Sequence, residues 1–224
     1  MATGNAKNII VGAAEFWVSE NENSVVEYES VFTSDTAPSQ SAATKINAYT
    51  NSNGAFRNVG FTQEGIELSF EPDYGEIEVD QLLEVAKIFK QSMRVTLATS
   101  LAEATLENLL LATSGADSDL GSAINSTTKS RKLDVNAGAL GYAPIERTIV
   151  AVGPAPDSVA AATTNGKAER IYWGYRAVSM ETTTVGVRRN EATVFPVSFR
   201  LLTHNSTDTS SKDLFGKVVD RVYA

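Results

Sequence analysis

Alternation of apolar and polar residues organises this chain. In Gly65-Ile-Glu-Leu-Ser-Phe-Glu71, Ile66, Leu68 and Phe70 occupy one face of a pleat and Glu67, Ser69 and Glu71 the other, which predicts a half-buried strand. Pro72-Asp-Tyr-Gly75 has turn chemistry, and Glu76-Ile-Glu-Val-Asp80 resumes the alternation with Ile77 and Val79 inward. Together they predict a hairpin over 65–80. Concentrations of β-branched and aromatic residues predict further strands at 9–17, 93–98, 147–152, 169–180, 181–188 and 192–202. Pro196 cannot donate to a ladder, so the last strand lies at an edge or carries a bulge there.

One segment has a helical start. Ser100-Leu-Ala-Glu103 fits a capping box, Leu101, Thr105, Leu109 and Ala112 form a stripe, and Gly115 supplies a stop. The apolar face of this helix is expected to cover a sheet. The run 81–89, with Leu82, Val85, Ile88 and Phe89, fits helix and extended chain about equally. Three polar stretches, 33–54, 116–141 and 153–167, read as long loops, and loops of that length are uncommon in a compact domain unless they bind something. They are expected to act as arms that order against partner subunits. No repeat and no linker divides the chain, so a single domain over 1–224 is expected, mainly β and antiparallel, as a sandwich or barrel flanked by one α-helix.

Composition narrows the chemistry. Among 224 residues there is no cysteine and one histidine, His204, which excludes disulfides, thiolate metal sites, thiol nucleophiles and a second imidazole for zinc. A net charge of -8 is the wrong sign for holding a phosphate backbone by counterion release. No stretch approaches the ~18 consecutive apolar residues of a membrane span, and the first residues do not read as an export signal. Phosphate-cradle, nucleophile-elbow and zincin motifs do not occur. Asp117-Ser-Asp119-Leu-Gly121 resembles a calcium loop only loosely, because Thr128 stands where the closing Glu belongs. No catalytic residue, metal site or cofactor is expected.

Two charge clusters remain. Glu64, Glu67, Glu71, Asp73, Glu76, Glu78, Asp80 and Glu84 follow one another with no Lys or Arg between Arg57 and Lys87. Two such carboxylates could in principle serve a glycosidase, but a row on the outward face of a strand with one interleaved aromatic, Tyr74, is the pattern of a solvated surface. Lys129, Arg131 and Lys132 form a small basic cluster in the second loop. A basic arm and an acidic sheet edge on one chain suit head-to-tail association, although a plain solubilising loop explains the spacing equally well.

With those residues in view, the chain resembles the major tail tube proteins of long-tailed bacteriophages. The resemblance rests on four stretches: "NIIVGAAEFWV" from Asn8, "NVGFTQEGIELSFEPDYGEIEVDQ" from Asn58, "VTLATSLAEATLENL" from Val95 and "ATVFPVSFRLL" from Ala192. It implies a virion protein, synthesised in the host cytoplasm, whose hexameric rings stack into a hollow tube. Its implied partners are further copies of itself and the tape measure, tail terminator and distal tail proteins, and DNA would pass through the lumen without specific binding. On that footing the acidic face of Glu67, Glu71, Glu76, Glu78 and Asp80 is expected to line the lumen, and the Lys129, Arg131 and Lys132 loop to reach between subunits. The competing expectation is a non-catalytic β-sandwich module that recognises a carbohydrate or a host surface.

Overall fold

The computed structural model describes residues 10, 12–32, 39–51, 54–77, 84–125, 127–136, 143–156, 159, 166–180, 183–187, 189–190, 192–205 and 214–223. Strand β6 (Arg147–Pro154) explains the architecture best. Its Ile149 and Ala151 point to one side, Val150 and Val152 to the other, and all four are buried. A strand that is apolar on both faces must lie inside a layered structure.

The other strands are β1 (Glu15–Ser19), β2 (Thr50–Asn51), β3 (Gly54–Asn58), β4 (Thr62–Ile77), β5 (Lys87–Leu101), β7 (Lys167–Ser179), β8 (Phe195–Leu202) and β9 (Gly216–Tyr223). They form one antiparallel sheet in the order β2-β3-β1-β6-β7-β8-β5-β4. β7 is its trunk. One edge of β7 pairs with β6, and the other is divided between β9 along Lys167–Gly174 and β8 along Arg176–Ser179.

Each face of the sheet has its own core. On one side Phe16, Leu97, Leu101, Ile149, Val197 and Phe199 pack together with Leu111 and Ala112 of helix α3 (Leu106–Ala112), and the Phe16 and Phe199 rings stack at 5.9 Å. On the other side Trp17, Phe56, Val150, Ile171 and Trp173 are covered by Phe32, which follows α1 (Tyr28–Val31), and by Ile46 of α2 (Ala42–Ala48). Trp173 donates Nε1–H to the Val26 carbonyl at 3.0 Å, so its polar edge is satisfied where the ring is buried. Burying each of these large side chains contributes about 1.5–3 kcal/mol.

The mainly antiparallel β class agrees with the pattern of the sequence, while several elements differ. The hairpin expected at 65–80 does not form within that span. β4 runs straight through Pro72–Gly75, and its partner is β5, paired from Thr62 opposite Leu101 to Ile77 opposite Lys87. Residues 87–89, ambiguous in sequence, are therefore strand. The capping box at Ser100 is not used, because Ser100 and Leu101 belong to β5 and Leu101 is fully buried. Leucine burial outweighs a cap of about 1 kcal/mol, so the helix starts later. Thr105 caps it, accepting from the Asn108 N–H at 3.2 Å.

The first long polar stretch contains α2 and β2, and 183–187 is not strand. β9, not expected from the sequence, completes the trunk. Pro196 lies opposite Ser100 of β5, in the half of β8 that β7 does not reach, so it is locally at an edge. Among the described residues no helix is long and apolar enough to cross a membrane.

Candidate functional site

The least satisfied part of the molecule is the ribbon of β4 and β5. Its base, from Ile66 opposite Thr99 to Leu68 opposite Leu97, packs on the first core; β8 pairs with β5 only as far as Val95, and beyond it the ribbon continues without a third strand among the described residues. Phe70, Tyr74, Ile77, Ile88 and Phe89 all stand exposed on this distal half, between 42% and 59%. Sequence reading placed Ile77 inward after a turn. In the straight strand it points to the opposite face from Phe70 and Tyr74, so the ribbon tip is apolar on both sides.

Two irregularities shape the ribbon. At its base Glu64 and Gly65 both have positive φ, 66° and 78°, and form a bulge between the pairs Gln63–Ser100 and Ile66–Thr99, where the Thr99 hydroxyl donates to the Gly65 carbonyl at 2.7 Å. Further out, Gln91 is the extra residue between Ser92, opposite Asp73, and Lys90, opposite Tyr74. Gly75 lies buried beneath Phe89 and Gln91: a Cβ there would meet the Gln91 amide at 2.3 Å and the Phe89 ring at 2.7 Å.

The acidic row is divided by this geometry. Glu67 and Glu71 share one exposed face with Asp73, whereas Glu76 lies on the other face with Tyr74. Glu78 and Asp80 lie outside the described residues. Basic residues that are distant in sequence also arrive through pairing: Arg94 stands opposite Glu71, Lys90 opposite Tyr74 and Lys87 opposite Ile77. The single acidic face expected from sequence is thus a mixed one, because strand pairing with 87–94 supplies the cations that 58–86 lacks.

On the Glu67 face, cross-strand rows run over three strands: Ser69, Thr96 and Arg200; Glu67, Ala98 and Ser198; Gln63, Ser100 and Pro196. The side chains are small or polar, and a shallow depression of about 200 Å³ lies among Glu64, Glu67, Ser100 and Ser198. On the opposite face, an apolar cleft of about 210 Å³ opens between the ribbon base and β9, lined by Leu68, Met93, Val95, Tyr172, Phe215 and Val218. It lies at the fork where β9 and β8 diverge from β7.

The basic loop is tied to the rest of its own chain. Arg131 pairs with Glu107 of α3 and donates Nε–H to the Gly121 carbonyl at 2.9 Å, and Lys132 pairs with Asp134 at 3.1 Å. Arg147 holds the start of the loop, donating to Asp117 Oδ1 at 2.6 Å and to the Glu20 carbonyl at 2.9 Å. Of the three cluster residues Lys129 alone makes no ion pair among the described residues, so an arm of three unengaged cations is not what the fold presents. Nearby, Arg57 donates to Asn108 Oδ1 at 2.7 Å; burial first, then the neighbouring Arg147, lowers its pKa.

His204 Nε2 lies 3.2 Å from Glu27 Oε1, with the Tyr175 ring at 5.4 Å. Ser30 Oγ donates to the main-chain carbonyl of Glu27 at 2.6 Å, and among the described residues no group of three or more acidic or imidazole side chains is placed to hold a metal. The exposed tip and the apolar cleft escaped the sequence reading, and the available signal was the change in parity of apolar positions between Phe70 and Ile77. Comparison with family models and with curated proteins finds no match for this chain.

Proposed function

We propose that this chain is a structural subunit that polymerises as stacked hexameric rings into a hollow phage-type tail tube, through which DNA is delivered into the host. The observation that carries the reading is the β4–β5 ribbon. It extends beyond the body of the subunit with apolar residues exposed on both faces and with strand edges that no other described strand pairs, an arrangement that calls for further protein around it. The small and polar Glu67 face of β4, β5 and β8, where Glu67 and Glu71 share the surface with Arg94 and Arg200, suits a wall past which a polyanion slides, since only a shallow depression interrupts it. The resemblance of the four sequence stretches points the same way.

Negative-stain electron microscopy of the purified protein, alone and after concentration, is the decisive experiment. Rings or hollow fibres of one diameter are expected. A monomer that persists at high concentration in every salt condition overturns the proposal, and a small closed oligomer that binds glycan favours a surface-recognition module instead.

A further inference from the structure

From the exposed tip and the apolar cleft we infer a head-to-tail contact in which the ribbon tip of one copy seats in the cleft between β9 and the ribbon base of the next. The inference rests on the assembly proposed above and specifies its contact.

Three observations choose a second copy as the occupant. The first is capacity. The cleft holds about 210 Å³, below the ~300–1,000 Å³ typical of small-molecule sites, and suits one or two inserted side chains. The second is supply. Tyr74 and Ile88 stand exposed at the tip, while Leu68, Met93 and Val95 at the base of the same ribbon form one wall of the cleft. A straight ribbon cannot return its tip to a cleft built on its own base, so the two surfaces meet only between molecules.

The third is area. The distal half spans roughly eight residues of each strand, about 26 Å at ~3.3 Å per residue. With side chains it is about 10 Å across in each direction and offers on the order of 1,000 Å², comparable with the ~800 Å² that one partner brings to a stable interface. Simple strand addition along β4 is the less favourable use of the ribbon, because Pro72 lacks a donor and the bulge at Glu64 and Gly65 breaks that edge. Tip and cleft are different patches, so the contact is heterologous and propagates from copy to copy.

The absence of cysteine gives a clean test. The pair Ile88→Cys and Val218→Cys, both at exposed positions, is oxidised after concentration and run on a non-reducing gel. A ladder of reducible multimers is expected from the pair, none from either single variant, and none from Ile88→Cys combined with Ile124→Cys on the distant loop. Independently, Tyr74→Ser with Ile88→Ser should leave the thermal midpoint unchanged and lower the assembled fraction by at least ~10-fold, as loss of central contacts does. Assembly seen by microscopy without the Ile88–Val218 cross-link overturns this contact and leaves the proposed function standing. A dimer from Ile88→Cys alone shows tip-to-tip pairing and overturns it as well. A chain that never assembles overturns both.

Discussion

Arg221 and Glu169 form a buried ion pair that also holds a helix in place: Arg221 Nη1 donates to Glu169 Oε1, and the two oxygens of that carboxylate accept the Ala42 N–H at 2.9 and 3.0 Å. Arg221 donates in addition to the Gln40 carbonyl at 2.9 Å and lies over the Phe32 ring at 5.2 Å. The pair therefore fastens the start of α2 to the β7–β9 ladder near its Lys167 end. Removing one partner strands a charge, so Arg221→Met should destabilise the fold by about 3–5 kcal/mol in urea unfolding. The double variant Glu169→Met, Arg221→Met should be milder than the single, and equal losses would show that the two groups do not act as a pair.

Asn108 is a second hub, completely buried at the end of the first turn of α3. Its amide donates to the carbonyls of Val59 and Glu103 at 2.8 and 2.9 Å, and its oxygen accepts from Arg57. Asn108→Leu leaves those three groups without their partner and should cost at least ~2 kcal/mol. For a chain of this size that corresponds to a fall of roughly 4–8 °C in the thermal midpoint. An unchanged midpoint would mean that the three groups find other partners.

The helix start separates two readings of the sequence. With Thr105 as the cap, Thr105→Ala should cost about 1 kcal/mol, while Ser100→Ala in the strand should stay within ~0.5 kcal/mol. The reverse order would restore the capping box at Ser100.

Acid should loosen the molecule through two carboxylates. The Asp220 pKa is lowered, chiefly by its hydrogen bonds from Arg170 at 2.5 and 2.7 Å, with burial opposing. Burial pushes the Glu107 pKa up, but its own backbone N–H and Arg131 outweigh that and lower it overall. A carboxylate with a lowered folded pKa stabilises above its unfolded value, here 3.8 for Asp220 and 4.5 for Glu107, and that contribution is lost as pH falls through the folded value. The urea midpoint should stay level from pH 7 to about 5 and fall below about 4, and Asp220→Asn with Glu107→Gln should flatten the fall.

Much of the fold was legible because β strands record burial locally. β6, β7 and β8 appear within a few residues of their true bounds, as Ile149, Trp173 and Phe199 all lie in runs of β-branched and aromatic residues. What escaped depends on pairings between distant segments. Pro72-Asp-Tyr-Gly75 has every local mark of a turn, and nothing within it discloses that residues 87–94 will hold it straight. Likewise nothing beside Glu169 or Arg221 in the sequence marks them as partners; the ladder of β7 and β9 places them opposite one another. The candidate site was legible in its residue types and misread in its faces, since a strand's outward side is decided by the partner that covers the other.

The division of β7 between β9 and β8 has a consequence for the order of events during synthesis. The ribbon is local, with β4 and β5 joined by a short connection, and it can close as soon as Leu101 is clear of the ribosome. The cleft needs Phe215 and Val218, which follow Leu101 by more than 100 residues. Under the proposed contact, a nascent chain carries a finished tip long before it has anywhere to receive one, so a chain still being translated would attach to a completed neighbour but could not yet be attached to.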